Sequence, residues 1–329
     1  MRLTLVFCTL SFWNFSQITP IYLEGETQGT SYHITYYDSS NRDLQGDIEE
    51  ILADFDYSVS TYNPYSLISR VNRNDTTVKV DAYFIACFNK AKEIWKNTDG
   101  AFDPTVFPLV NAWGFGPGKK QHIEQVVIDS ILVFVGFEKI ELVGNKVIKK
   151  DPRVGLDFNA FAQGYSVDVI SDYLRSQGIM NFVVEIGGEV YAGGKMENNG
   201  CWLVGIEEPS DNQETSNPLY LIVELENWAL ATSGNYRKFI IENGVRYAHH
   251  IDPKTGYPAK NNLLSASVLT TECISSDANA TGILVMGLEK AQTFLKVHPE
   301  LQAYLIYSDD KGNYQVFQTP GMKFIVVDR

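Results

Sequence analysis

Apolar residues recur along this chain with two periods. Ile48, Ile51, Leu52 and Phe55 fall three and four apart, which predicts a helix over Asp47–Phe55. Phe84, Ile85, Phe88 and Trp95 predict another over Ala82–Lys96. A third, through Val167, Ile170 and Leu174, stops near Gly178. Further helices are expected near Ile123–Val135 and over Leu288–Val297. β-rich or alternating runs predict strands at Ser31–Tyr37, Phe182–Ile186, Val190–Ala192, Cys201–Ile206, Tyr220–Leu225 and Trp228–Ala231. More follow at Ser265–Thr271, Ala303–Tyr307, Tyr314–Phe317 and Lys323–Val327. Ile140–Val143 and Lys146–Lys149 form a hairpin around Gly144-Asn145. Gly155–Tyr165 runs from strand into helix, whereas Val110–Gly118 is irregular and aromatic. Pro209–Pro218 is polar and reads either as a linker or as a hairpin insertion. The mixture predicts an α+β fold of mixed, largely antiparallel sheets with flanking helices.

Composition narrows the setting. The chain has 329 residues, 44% of them hydrophobic and 20% charged, enough to bury a sizeable core. Its net charge is -13 and it has no Lys/Arg-rich block, which argues against nucleic acid as a partner. Of the four cysteines, Cys87, Cys201 and Cys273 sit in apolar surroundings and read as buried thiols, and no C-x-x-C pair suggests zinc or haem. One Arg followed by a short apolar run marks residues 1–18 as an export signal, leaving residues 19–329 as a single domain. Cys8 lies too early, behind bulky Phe7, to make a good lipoprotein processing site.

Candidate chemistry begins at Ser275–Gly282. Ser275 or Ser276 reads as an N-cap, so a helix is expected to start there. On it Asp277 and Thr281, four apart, share one face. A carboxylate and a hydroxyl are hard oxygen ligands suited to Mg²⁺. The plain alternative is an acidic first turn plus a Thr bonded back to its own helix. Four loops contain or directly follow Gly and carry carboxylates or hydroxyls: Ala101–Thr105 after Gly100, Leu156–Ala160 after Gly155, Glu185–Glu189 and Ala231–Tyr236. Any one of them alone is most simply a turn. His249-His250 lie in a dense polar segment that continues into the turn sequence Asp252-Pro253-Lys254-Thr255-Gly256. If Tyr247–Ile251 is a strand, the two His side chains face opposite sides and only one serves a given site.

Taken together and in order, these segments resemble the ApbE family of FAD:protein FMN transferases. The resemblance runs from about Gln28 to the C-terminal strands. It is carried by Thr27–Thr30, Ser60–Ser66, Gly100–Thr105 with Val110–Gly116, Leu156–Asp168, Glu185–Glu189, Ala231–Tyr236, His249–Gly256 and Asp277–Thr281. It implies a T-fold-like architecture and Mg²⁺-dependent transfer of the FMN half of FAD to a Thr or Ser hydroxyl of a partner protein, with release of AMP. A FAD pyrophosphatase and a non-catalytic FAD-binding protein are the alternatives. The resemblance makes Asp277 and Thr281 side-chain Mg²⁺ ligands and the carbonyl of Ala160 (or of Ala162) a third. Gln28, Tyr62, Ala101, Phe102, Asp103, Asp157, Gln163, Thr232, Ser233 and Gly234 become FAD contacts. His249 and Asp252 are the two candidate general bases. Gln163 stands where the family often has Lys, and it can hydrogen-bond to a phosphate without bringing charge. An exported chain of this kind implies a place at the periplasmic face, with possible membrane association, and an acceptor in a membrane redox complex. Asp277–Gly282 lacks the final Thr of the family's acceptor pattern, so the chain is not expected to flavinylate itself.

Overall fold

The computed structural model describes residues 19–197, 199–207, 219–235, 239–242, 245–322 and 324–325. The segments read as an export signal and as a linker, and Cys8, lie outside the described residues. The chain opens with the hairpin β1 (Pro20–Thr27) and β2 (Thr30–Tyr37), followed by α1 (Gln45–Val59), α2 (Leu67–Asn72), α3 (Ala82–Asn97), α4 (Phe107–Trp113) and α5 (Gln125–Leu132). Next come β3 (Ile140–Val143), β4 (Lys146–Lys149), α6 (Ala162–Ser176), β5 (Phe182–Ile186), β6 (Glu189–Gly193), β7 (Trp202–Glu207), β8 (Leu219–Leu225) and β9 (Trp228–Gly234). The C-terminal part holds β10 (Phe239–Glu242), β11 (Val245–Ala248), β12 (Leu263–Thr270), α7 (Cys273–Met286), α8 (Leu288–Val297), β13 (Gln302–Ser308), β14 (Tyr314–Gln318) and β15 (Phe324–Ile325).

Eight strands make one sheet in the order β1-β2-β5-β6-β9-β12-β13-β14, with every neighbouring pair antiparallel. Side-chain alternation sends each strand to two cores. On β13, Ala303 and Leu305 pack with Ile283 and Leu284 of α7, while Tyr304 and Ile306 pack with Trp202 and Val223 of the small sheet β15-β8-β7. The large sheet is therefore sandwiched between helices and a second sheet, as expected for an α+β fold. Beside it α1–α3 and the β3–β4 hairpin form an aromatic-rich lobe around Phe55, Phe84, Phe88 and Phe158. Among the described residues no helix is long and apolar enough to cross a membrane.

Three departures from the sequence pattern have physical causes. The edge strand β1 was not anticipated, because it contains Pro20 and Gly25 and leaves Tyr22 73% exposed. Val110–Gly118 is not wholly irregular, since α4 occupies its first part; at seven residues, with a Pro in its first turn, α4 is too short to show a period. No strand lies within Gly155–Phe161, where the sequence suggested one leading into α6. Instead Asn72 at the end of α2 pairs both ways with the backbone of Leu156, its Nδ2 donating to the carbonyl and its Oδ1 accepting the amide, both at 2.8 Å. A side-chain amide thus substitutes for a strand partner. The three described cysteines are all free thiols, Cys87 and Cys273 buried and Cys201 half-buried.

Candidate active site

A cleft with a cavity volume of about 280 Å³ opens where the helical side of the large sheet meets the aromatic lobe. Two loops of the lobe form one wall. Phe102 meets Phe161 at 5.5 Å between ring centroids, and Phe161 meets Phe158 at the same 5.5 Å. This aromatic chain fixes Ala101–Asp103 against the Asn159-Ala160 turn. The Asp157 amide donates to Pro104 O at 2.9 Å and ties the two loops directly. Asp103 accepts from the Thr105 amide and hydroxyl and from the Phe137 amide. Asp157 accepts from the Asn159 amide at 2.8 Å. Burial outweighs these bonds and pushes each carboxyl up to about 6.

The floor is built by α6 and α7. Helix α7 begins at Cys273, not at Ser275, and neither serine caps it. The Ser275 hydroxyl bonds Glu272 Oε2, and the Ser276 hydroxyl bonds Thr270 Oγ1. The cap comes from Asp168 of α6, whose carboxylate accepts the amides of Cys273 at 2.7 Å and Ile274 at 2.8 Å. One turn further on, Asp277 is buried and its Oδ2 accepts the Gly164 amide at 3.0 Å. Burial, with Asp168 adding to it, holds the Asp277 carboxyl well above the usual carboxylate range. The Thr281 hydroxyl reaches the Ala160 carbonyl at 3.3 Å and Ser233 Oγ of β9 at 3.1 Å.

The third wall carries the histidines. Strand β11 ends at Ala248, so His249 and His250 follow it instead of alternating along it. Both line the cleft, with their ring centroids 3.9 Å apart. His250 is buried, with Nδ1 3.2 Å from Asn235 Oδ1, while His249 is half-buried and packs edge-on to Phe115. The turn that follows is anchored on α4, where Trp113 Nε1 donates to Gly256 O at 2.9 Å. Gly256 has φ +74, and an added Cβ would lie 2.5 Å from Ile128 Cγ2. Gly256→Ala should therefore cost roughly 1–3 kcal/mol, read by chemical denaturation, with a matching loss of any His249-dependent rate. Unchanged stability would show that the turn is not held as described.

Most of the anticipated residues converge on this cleft: Tyr62, Ala101, Phe102, Asp103, Asp157, Ala160, Gln163, Thr232, Ser233, Gly234, His249, Asp277 and Thr281 all line it. Two do not. Asp252 is absent from the lining, and its Oδ1 accepts the Lys254 amide at 2.8 Å, closing the turn. Gln28 sits in the β1–β2 turn with φ +52, outside the lining, its buried Nε2 without a hydrogen-bond partner among the described residues. Glu189, Asn159, Phe115 and His250 line the cleft without having been singled out. Asn159, Glu189 and Phe115 lie in segments the sequence had flagged as wholes, and His250 was set aside by the assumed strand.

Asp103 gives the site a pH signature. Its native pKa near 6 exceeds the ordinary carboxylate value of about 3.8, so the folded state holds the proton more tightly than the unfolded chain. This stability is fully present below about 3.8 and is lost as pH rises through about 6. Relative to Asp103→Asn, the unmodified chain should gain on the order of 2–3 kcal/mol between pH 7.5 and 4. Denaturant titrations of both proteins across that range test the sign, and a constant difference would refute the assignment.

A sequence profile of the ApbE family matches residues 28–305. The chain belongs to the ApbE family. Among its ApbE relatives, a FAD:protein FMN transferase from Haemophilus influenzae is 37% identical over 307 residues, covering 89% of this chain and 88% of its own. Another from Vibrio cholerae is 35% identical over 300 residues and covers 89% of each. The solved flavin transferase ApbE from Vibrio cholerae superposes with a TM-score of 0.82 at 34% identity, over 92% of this chain and 98% of its own. The ApbE protein from Thermotoga maritima gives 0.79 at 25% identity, over 90% of this chain and 96% of its own.

Proposed function

We propose that this chain transfers the FMN moiety of FAD to a Thr or Ser hydroxyl of an acceptor protein and releases AMP. The observation that carries the reading is the meeting of Thr281 Oγ1 with the Ala160 carbonyl at 3.3 Å, one turn from buried Asp277, in a cleft that His249 also lines. Those three groups fit Mg²⁺. They are hard oxygens, and the Thr281–Ala160 bond is one a cation would replace. Among the described residues no cluster of three His, Cys, Asp or Glu side chains offers a metal a complete protein cage. Mg²⁺ suits such a partial set, because it takes one or two carboxylates together with phosphate oxygens and water. When bound it would supply charge neutralisation at the pyrophosphate.

The remaining steps belong to the chain's own residues. Gln163 and Ser233 offer neutral hydrogen bonds at the cleft floor, and the orphaned Gln28 amide is a donor awaiting an acceptor at the β1–β2 turn. His249 takes the proton from the incoming hydroxyl as that oxygen bonds to the FMN-side phosphorus. The bond from that phosphorus to the bridging oxygen breaks, and AMP leaves. His249 is favoured over Asp252 because it lines the cleft and Asp252 does not. Mixing the protein with FAD and Mg²⁺, with and without a peptide bearing an acceptor Thr, tests the reading. AMP release that depends on the peptide and stops with EDTA is expected. Equal AMP and FMN release without peptide would instead mark a pyrophosphatase, and intact FAD in both tubes a binding protein.

As part of the same reading, residues 1–18 are an export signal, residues 19–329 a single domain, and the acceptor a subunit of a membrane redox complex on the periplasmic side. Recovery of a chain cleaved past residue 18 in the periplasmic fraction is expected. An uncleaved cytoplasmic chain would reject export.

A further inference from the structure

Helices α6 and α7 each lack a side-chain cap of their own, since Phe161 and Glu272 stand at their N-cap positions without making one. A helix N-terminus leaves amide donors that need acceptors. Here each helix caps the other. The Gly164 amide, in the first turn of α6, goes to Asp277 Oδ2 of α7 at 3.0 Å. The first amides of α7, Cys273 and Ile274, go to Asp168 of α6 at 2.7 and 2.8 Å. Gly164 lets the two backbones approach this closely. A Cβ there would lie 2.6 Å from Cys273 O and 2.7 Å from Asp277 Cβ, and a backbone carbonyl of a buried helix has little room to give.

We propose that this reciprocal cap is a two-point clamp that orients Asp277, so that Gly164 and Asp168 are positioning residues for the metal site. The inference rests on the reading of Asp277, Thr281 and Ala160 as the ligands. One end of the clamp fixes the carboxylate plane by engaging Oδ2, which leaves Oδ1 as the oxygen for the cleft. The other end fixes where α7 begins, and with it the register that brings Thr281 to Ala160 one turn after Asp277. Neither Gly164 nor Asp168 lines the cleft, so neither needs to touch a ligand to act.

The test is a Mn²⁺ titration of the full chain at pH 8, followed by electron paramagnetic resonance well below each variant's melting temperature. Asp168→Asn keeps the shape and one acceptor oxygen, so it can hold only one of the two α7 amides well. Its Mn²⁺ affinity should fall about 10-fold or more, the range found when groups that orient metal ligands are altered. Asp168→Glu, which restores the charge with a longer reach, should recover part of it. Gly164→Ala should weaken binding further, and if it fails to fold the Asp168 pair still decides. Loss of Mn²⁺ binding in Asp277→Asn establishes the metal site independently. If that loss occurs while Asp168→Asn binds as the unmodified chain does, the clamp is overturned and the metal site stands. If Asp277→Asn itself binds normally, the metal reading falls and the clamp with it.

Discussion

Asp277→Asn should lower FMN transfer by about 10³-fold or more while leaving the protein folded. The size follows from the several kcal/mol that a metal contributes to stabilising charge in phosphoryl transfer, at about 1.4 kcal/mol per factor of ten. The fold should survive because Asn is isosteric and keeps an oxygen to accept the Gly164 amide. Stability should even move the other way in EDTA. Burial disfavours the charged form of the Asp277 carboxyl, and Asn removes that cost. The melting temperature in EDTA should thus match or exceed that of the unmodified chain, and the rise caused by Mg²⁺ should vanish. A variant that keeps transfer within tenfold, or is still stabilised equally by Mg²⁺, would remove Asp277 from the site.

The second large effect concerns His249. As general base for the acceptor hydroxyl, its removal in His249→Ala should reduce kcat by about 10²–10⁴-fold, the usual contribution of a positioned base. A base that acts on the acceptor oxygen leaves FAD binding intact, so KM for FAD should change little. The pH–rate profile should also lose the limb that reports the base. His250 lies 3.9 Å from it, ring to ring, yet is buried and engaged with Asn235. His250→Ala should show mainly in stability, with a smaller loss of kcat. Rates for the two variants in the opposite order would assign the proton to His250.

The sequence showed two elements almost to the residue, whereas α1, expected over Asp47–Phe55, spans Gln45–Val59. Helix α3 spans Ala82–Asn97 against an expected Ala82–Lys96, and the β3–β4 hairpin has the expected bounds. Both have a full apolar period or an unambiguous turn. Helices α2 and α4 have six and seven residues and so no period to read. At the site, Asp277 and Thr281 were visible as a one-face pair because their spacing is local. The Ala160 carbonyl was legible only through the family resemblance, and the Gly164 amide not at all, because both join the pair across more than a hundred residues. Asp168 shows the limit most clearly. Ser275 and Ser276 have good capping chemistry and were the natural choice, but the cap comes from another helix and α7 starts two residues earlier. Similarly, a strand assumed through His249-His250 would have split two rings that the end of β11 brings together.

The decisive measurement is the mass of an acceptor peptide carrying a single Thr after incubation with the full chain, FAD and Mg²⁺. Transfer predicts a gain of one FMN less one water, located by fragmentation on the Thr oxygen, with one AMP per modified peptide. An unmodified peptide beside consumed FAD, or FAD left whole, would contradict it.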